Sequence, residues 1–271
     1  MKKILFLALA LVLSLGLASA SYAHGYTYWT SSSKIGIGHF VYNEPGNSDS
    51  GTNYSLVQRF NYHNNLFLLS LRGSLGYVPA NYSGETMVGG TPISGTVHYS
   101  LNNFSAGAGI DYRLMGGLMQ NELYLSLGDM THDFMAANSS FSGGATGYDE
   151  SYQVKYLGIT YKNIYAFNPV ISNVFKIGYL EGLSGTATTK GFQGVDINGL
   201  PAPNFEFNLS GENGYTLAEG VRYRLNNSLS LVGDVYYSAL YFKHSNTNDA
   251  FYEPSSMTHQ YGLQVGVHYD F

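Results

Sequence analysis

The chain lacks cysteine altogether and carries few charged residues. Only 11% of its 271 residues are charged, whereas soluble domains carry about 25%. The missing cysteine excludes disulfide scaffolds, zinc sites with thiolate ligands and thiol nucleophiles. The formal net charge of −5 provides no basic surface for a nucleic acid partner. Aromatic residues make up 15% of the chain, and this density together with the low charge excludes intrinsic disorder.

Long apolar stretches are confined to the start of the chain. Two lysines precede an apolar run over 4–12, and small residues then occupy the −3 and −1 positions of a cleavage site that ends at Ala23. This is the pattern of a secretory signal peptide. The sequence therefore predicts a signal peptide over 1–23, cleaved between Ala23 and His24, and a single barrel domain over 24–271.

Beyond this leader, no apolar stretch reaches the roughly 20 residues that a transmembrane helix needs. The leader itself is short for an N-terminal membrane anchor, which is the alternative interpretation of that segment. The rest of the chain alternates apolar and polar residues with a period of two, as strands with two different faces do. In the last strand, most odd positions from His259 to Phe271 are apolar or aromatic, and the even positions are polar or small.

This alternation is compatible with a soluble sandwich or with a membrane barrel. The apolar faces are too numerous for one soluble core, and the tyrosines lie mostly toward strand ends, where an aromatic girdle would meet lipid headgroups. The sequence therefore predicts an all-β fold, a closed antiparallel transmembrane β-barrel. Its lumen would hold the charges of the opposite faces, which are Arg59, Arg72, Asp111, Arg113, Glu122, Lys176, Arg222, Arg224 and Asp234.

The polar connections alternate between short and long, as the periplasmic turns and external loops of outer-membrane barrels do. Four short and five long connections predict ten strands, with eight or twelve as alternatives. The predicted strands are 33–42, 52–62, 65–77, 96–114, 120–131, 150–162, 168–181, 205–225, 228–242 and 258–271. The predicted long loops lie near 43–51, 78–95, 131–149, 181–204 and 243–257.

Two irregularities interrupt the alternation. Near Tyr156 the apolar residues change from even to odd positions, as they would at a β-bulge. Residues 96–101 are out of phase with residues 104–114, although both segments belong to one predicted strand.

The chain resembles small Gram-negative outer-membrane β-barrel proteins, porin-like in the broad sense. The resemblance rests on the leader, the alternating hairpins and the terminal Val267-His268-Tyr269-Asp270-Phe271. In that family the barrel-assembly machinery recognises a terminal aromatic residue with apolar residues at alternate preceding positions. The resemblance implies that Val267, Tyr269 and Phe271 form this signal. It also implies a location in the outer membrane of a Gram-negative bacterium, among its lipids and lipopolysaccharide.

The predicted role is passive and needs no cofactor. The lumen charges would form either a polar core of ion pairs or a narrow, anion-leaning pore, because a ring of arginines favours anions. The alternative is a surface adhesin that binds an extracellular ligand through its long loops. The loop aromatic residues that support this alternative are Phe134, Phe141, Tyr148, Phe192, Phe251 and Tyr252.

The sequence predicts no enzyme, because no candidate cluster matches a known motif residue by residue. The alternative is an outer-membrane hydrolase, in which a carboxylate and an imidazole activate water or a serine acts as the nucleophile. The protease candidates are Asp129, His132 and Asp133, with His244, Glu253 or His259 across the rim. The lipid-hydrolase candidates are Ser126 and Ser238. The scattered histidines lack ligand spacing and predict no metal site.

Overall fold

The fold is described from a computed structural model of the chain. The structure describes residues 27–85, 90–145, 147–190, 196–197, 200–201, 205–209, 211–246 and 253–271. The predicted signal peptide and its cleavage site lie outside the described residues.

The described chain is almost entirely strand. Its strands are β1 (Thr27–Glu44), β2 (Asn47–Asn64), β3 (Phe67–Glu85), β4 (Pro92–Leu114), β5 (Met119–Met135), β6 (Asp149–Ala166), β7 (Ile171–Lys190), β8 (Asp196–Ile197), β9 (Leu200–Pro201), β10 (Phe205–Leu209), β11 (Asn213–Arg224), β12 (Leu229–Phe242) and β13 (Ser256–Asp270). Two short 3-10 turns, Met115–Gly117 and Ser142–Gly144, are the helices of the described residues. Neither is long or apolar enough to cross a membrane.

Antiparallel pairing joins the long strands into one closed barrel. Each pairs with its neighbours in chain order, and β13 returns to pair with β1. β10 and β11 both pair with β7 and together form a single barrel strand. The barrel therefore has ten strands, which confirms the prediction. Closure is the requirement for strands in hydrocarbon, because lipid offers no partner for backbone N–H and C=O groups.

Most strands extend further than predicted at the end opposite the termini, which we call the outer end. The predicted long loop over 43–51 is wrong. Its place is taken by a turn at Pro45–Gly46, with Gly46 at φ +83° and Glu44 paired with Asn47. Polar residues line the outside of these extensions, and in a sequence such residues resemble a loop.

The outer surface of the barrel carries an apolar belt on the half nearest the termini, which we call the membrane belt. Its aliphatic side chains point away from the lumen, with Ile35 64%, Leu75 58% and Val265 57% exposed. Aromatic side chains border it, with Trp29, Tyr223 and Tyr269 toward the termini and Tyr54, Tyr77, Tyr237 and Tyr261 on the other side. An apolar band between two aromatic girdles is the surface that a bilayer requires.

Beyond the second girdle the strands continue into an outer half. β3 runs on from Tyr77 to Glu85, which at about 3.3 Å per residue is roughly 25 Å of strand. Side chains of β4 alternate between inward and outward without a break. In its outer half, however, the apolar Val97 and Leu101 point inward and are buried, and polar residues face outward. This explains why 96–101 is out of phase: β4 leaves the lipid near Phe104, and above that point water lies outside the barrel.

Two buried apolar clusters fill the lumen of the outer half, and we call them together the outer plug. One contains Phe40, Tyr42, Val78, Ala80, Val97, Tyr99, Leu101, Phe134, Ala136 and Phe141. The other contains Met130, Tyr152, Val154, Tyr156, Ala187, Phe205, Phe207, Leu209, Leu240 and Phe242. The outer half is therefore packed like the core of a soluble protein.

A β-bulge does lie beside Tyr156, as a shift of register between β6 and β7, but β6 itself keeps its even-numbered residues on the inward face throughout. Lys155 pairs with Ser184 and Tyr156 with Gly182, so Leu183 of β7 is the extra residue. The bulge lies in the strand that pairs with Tyr156, which the sequence of β6 alone does not reveal.

Candidate functional site in the lumen

The lumen contains a cavity of about 290 Å³, which reaches from the level of the membrane belt up to the outer plug. Its lining includes six basic side chains but one acidic side chain among the described residues. These are Lys34, Arg59, Arg72, Lys162, Lys176 and Arg222, together with Asp234. A basic cavity at the depth of the hydrocarbon is an environment that favours anions.

The structure separates the nine predicted lumen charges into three groups. Arg59, Arg72, Lys176, Arg222 and Asp234 line the cavity. Asp111 and Glu122 are buried nearer the termini. Arg113 and Arg224 are exposed at the terminal end of the barrel.

Sequence reasoning missed two inward lysines, Lys34 and Lys162, and two inward histidines, His63 and His268. Lys34 lies near the start of a glycine-rich strand, and Lys162 lies at the end of its predicted strand. Strand alternation is the signal that could have found the two lysines. Lys34 precedes the outward-facing Ile35 and therefore faces inward. Lys162 shares its face with Gly158 and Thr160, which also line the cavity.

Two buried carboxylates have partners of their own. Lys162 Nζ donates to Glu122 Oε1 at 2.7 Å, and His63 Nδ1 lies 2.7 Å from Asp111 Oδ2. Tyr28 also donates to Asp111 Oδ2, at 3.1 Å. Asp111 and Glu122 are paired across β4 and β5, so these separate partners offset the repulsion between two like charges.

The remaining cavity charges are mostly basic. Lys34 forms an ion pair with Asp234. Arg59 and Arg72 stand opposite each other on β2 and β3, and Lys176 of β7 lines the same cavity. We call Lys34, Arg59, Arg72 and Lys176 the basic cluster. Among the ion pairs of the described residues, only that of Lys34 involves this cluster.

A second polar group, which we call the outer carboxyl cluster, lies beyond the membrane belt and consists of Glu44, Glu150 and Glu253. Tyr152 Oη contacts Glu253 Oε1 and lies 2.9 Å from Glu150 Oε2, and Tyr42 donates to Glu44 Oε2 at 2.9 Å. Burial raises the pKa of Glu150, and the neighbouring charge of Glu253 raises it further. Burial also raises the pKa of Glu253, with a contribution from Glu44.

Asp49 is a separate buried carboxyl group in the outer half. It is fully buried and accepts a hydrogen bond from Tyr99. Burial raises the pKa of Asp49 to about 7. The outer half therefore contains several carboxyl groups that hold a proton at a higher pH than an exposed carboxyl does.

Raising the pH from 5 to 8 is expected to loosen the segment that carries Glu253. A carboxyl whose pKa is raised by folding stabilises the protein below its ordinary pKa, and this stabilisation is lost as the pH rises through the raised value. The amide N–H of Ser245 donates to the carbonyl oxygen of Glu253 at 2.9 Å, and the amide N–H of Glu253 donates to Ser245 Oγ at 2.8 Å. The hydrogen-exchange protection factors of these two amides, corrected for intrinsic exchange, should fall by about tenfold for each unit by which folding raises the pKa of Glu253.

The Glu253→Gln variant is the control for this pH dependence. The amide side chain keeps the shape but cannot ionise, so protection should depend less on pH than in the unmodified chain. Equal pH dependence in both proteins would contradict the assignment.

The candidate protease residues do not come together. His132 points into the lumen beside Phe242, with ring centroids 6.3 Å apart, whereas Asp133 accepts a hydrogen bond from Ser151 on the outside of the barrel. Asp129 shares that outward face with Asp133, because side chains of a strand alternate. Burial lowers the pKa of His132 to about 4. The expected acidic–histidine cluster is therefore divided between two faces of β5.

The other candidate catalytic residues are also dispersed. His259 contacts Tyr237 Oη at 2.9 Å on the outside of the barrel, whereas Glu253 is in the outer carboxyl cluster. His244 is exposed and contacts the carbonyl oxygen of Ser245 at 3.0 Å. The serine candidates Ser126 and Ser238 line the cavity. The described residues include no group of three His, Asp or Glu side chains arranged to hold a metal ion.

The loop aromatic residues that suggested an adhesin point mostly inward where the structure describes them. Phe134 and Phe141 belong to the outer plug, and Tyr148 packs against it. Phe192, Phe251 and Tyr252 lie outside the described residues. The described aromatic residues thus contribute to the core of the outer half rather than to an exposed binding surface.

The three residues of the suggested assembly signal lie on the outward face at the end of the chain. Val267 and Tyr269 are each 42% exposed, and Phe271 is also exposed. Val267 and Tyr269 lie on β13 beside β1, which closes the barrel, and Phe271 directly after β13 exchanges backbone hydrogen bonds with Trp29 of β1. They are therefore accessible from the lipid side at the closing seam.

The fold is shared with solved bacterial barrels, although no family model and no curated protein matches the sequence. The outer membrane protease OmpT from Escherichia coli matches with a TM-score of 0.63 and 11% identity, over 90% of this chain and 97% of that one. The translocator domain of the autotransporter NalP from Neisseria meningitidis matches with a TM-score of 0.48 and 12% identity, over 99% of this chain and 97% of that one. The attachment invasion locus protein Ail of Yersinia pestis matches with a TM-score of 0.32 and 12% identity, over 90% of this chain and 99% of that one.

The strand pairing and the match to OmpT define the class of the molecule by its architecture. The chain is a closed ten-stranded antiparallel β-barrel with the fold of Gram-negative outer-membrane β-barrels. The likeness to OmpT concerns this fold. The activity has to be argued from the lumen of this chain.

Proposed function

We propose that the protein is a porin-like outer-membrane barrel that provides a narrow, anion-leaning pathway. The observation that carries this proposal is the basic cavity at the depth of the membrane belt. Barrels of about eight strands are normally filled by their own side chains. Here small residues leave space, and those lining the cavity include Ser55, Ser70, Ser105, Gly107, Gly158 and Gly178.

The outer plug would act as the gate of this pathway. Phe40 is fully buried and Phe242 is 2% exposed, so apolar side chains close the lumen above the cavity. Apolar constrictions exclude ions by excluding water. Conduction therefore requires the plug to move, and we expect brief, small openings rather than a permanently open pore.

Export and insertion would follow the route implied by the sequence. The signal peptide over 1–23 would direct secretion, and Val267, Tyr269 and Phe271 would be recognised by the barrel-assembly machinery. Outer-membrane lipids and lipopolysaccharide would then surround the membrane belt. The exposure of Val267, Tyr269 and Phe271 supports this role because a partner can reach them from outside the barrel.

Planar-bilayer recording of the refolded mature chain tests the pathway. Under a KCl gradient we expect small channel events whose reversal potential shifts toward that of chloride. The variant Phe40→Ala/Phe242→Ala, which opens the outer plug without altering the cavity charges, should show more frequent or larger events. The absence of channel events in both proteins at either polarity would refute the pore.

A further inference from the structure

We infer that Arg59, Arg72 and Lys176 form a binding site for a tetrahedral oxyanion of the phosphate or sulfate class. This inference rests on the proposed function for the access of the anion to the lumen. Binding itself can be measured without conduction.

The first argument is the charge left over after internal pairing. Asp234 is occupied by Lys34, and Glu122 by Lys162. Arg59 and Arg72 are opposite each other across β2 and β3, and Lys176 is opposite Lys162 across β6 and β7. Like charges directly opposite each other are destabilising. Three cations therefore line one cavity here, and none of them forms an ion pair with a carboxylate of the described residues.

The second argument is that the charge of Arg59 and Arg72 cannot be removed by deprotonation. Arginine remains charged under all ordinary conditions. Arg59 is partly stabilised by the ring of Tyr124, with its Cζ 5.5 Å from the ring centroid. Among the described residues, no acceptor is placed at hydrogen-bond distance from the Arg59 guanidinium. Cations enclosed within a barrel wall need a counter-charge.

The third argument is the geometry of the donors. A guanidinium group presents a rigid set of N–H donors that matches the oxygens of phosphate or sulfate, and two such groups converge here from neighbouring strands. Lys176 lines the same cavity from β7. The cavity wall adds the hydroxyl groups of Ser74 and Ser105. Several donors around one space suit a multivalent oxyanion better than chloride, which has a single charge and no separate acceptor atoms.

Calorimetric titration of the refolded full mature chain in detergent tests this site. Sodium phosphate and sodium sulfate should bind saturably at constant ionic strength, and chloride should bind at least tenfold more weakly. The variant Arg59→Gln/Arg72→Gln should lose phosphate binding by at least tenfold. Because it removes repulsion between two cations, the same variant should fold and should be at least as stable in phosphate-free buffer.

Two further variants separate a specific site from a general effect of charge. Arg224→Gln removes an arginine that is exposed at the terminal end, and it should leave phosphate binding unchanged. Arg59→Lys keeps the charge and should retain part of the binding. Phosphate binding that is unaffected by Arg59→Gln/Arg72→Gln, or equal binding of phosphate and chloride, would overturn the inference.

The binding and conductance measurements distinguish this inference from the proposed function. Phosphate binding without channel events would support the oxyanion site and refute the pore. Chloride conduction without phosphate binding would support the pore and refute the oxyanion site. Chloride conduction that phosphate blocks in the unmodified chain, but not in Arg59→Gln/Arg72→Gln, would support both.

Discussion

Replacing Lys162 with methionine is expected to lower the free energy of unfolding by about 3–5 kcal/mol. Glu122 is 1% exposed and its Oε1 accepts a hydrogen bond of 2.7 Å from Lys162 Nζ. Its Oε2 has no hydrogen-bond partner among the described residues, and Asp111 stands opposite on β4. Without the ammonium group, a carboxylate would remain in the barrel wall with no positive partner at hydrogen-bond distance. Denaturant unfolding of the barrel from lipid vesicles measures the change.

Two controls show whether the loss comes from the unpaired carboxylate. The double variant Glu122→Gln/Lys162→Met contains neither charge and should recover most of the stability. Lys155→Met removes an exposed lysine from the same strand and should change the free energy by about 0.5 kcal/mol or less. Equal destabilisation by Lys155→Met and Lys162→Met would show that the ion pair is not responsible.

Replacing Val265 with arginine is expected to destabilise the membrane-inserted barrel by about 2–4 kcal/mol. Val265 is 57% exposed on the membrane belt and is paired with Ile35 of β1 and Gly233 of β12. The arginine would therefore place its charge among lipid tails near the middle of the hydrocarbon. Folding into vesicles, followed by heat-modifiable migration on a gel and by denaturant unfolding, measures insertion and stability.

The neighbouring residue Gln264 provides the control that distinguishes the lumen face of β13 from its lipid face. Gln264 lines the cavity, so Gln264→Glu places a charge in the lumen near the basic cluster and should permit insertion. Val265→Leu keeps the outer face apolar and should insert like the unmodified chain. If Val265→Arg and Gln264→Glu inserted equally well, the assignment of the two faces of β13 would be wrong.

The local pattern of the sequence predicts much of the barrel. Alternation is a property of neighbouring residues, so it identifies which side chains share a face. Turn residues recur between the strands, and they predict the number of hairpins. The outward positions of Leu75, Val221 and Val265 follow directly from this pattern.

The errors of the sequence-based predictions have a common physical cause. The surroundings of the barrel change along its axis from lipid to water. Apolar residues point outward in lipid and inward where water surrounds the barrel. The apolar residues Val97 and Tyr99 are therefore out of phase with those of the lipid-facing segment, although the strand itself is unbroken. The same change of solvent made 43–51 resemble a loop and placed Phe134 and Phe141 in the outer plug.

The candidate clusters show why proximity in sequence is a poor guide to a site in a barrel. Asp129, His132 and Asp133 are close in the chain, but strand alternation sends them to opposite faces. Arg59, Arg72 and Lys176 come from three strands, and closure of the sheet brings them to one cavity.

The sequence by itself determined the strand-rich class, the two-faced strands and their number, because each follows from residues that are neighbours in the chain. Only the tertiary structure decided which charges pair, where the lumen is filled and where it is open. Those features depend on register and closure, which set the contacts between strands that are distant in the chain. The outer plug and the basic cluster are both consequences of that closure.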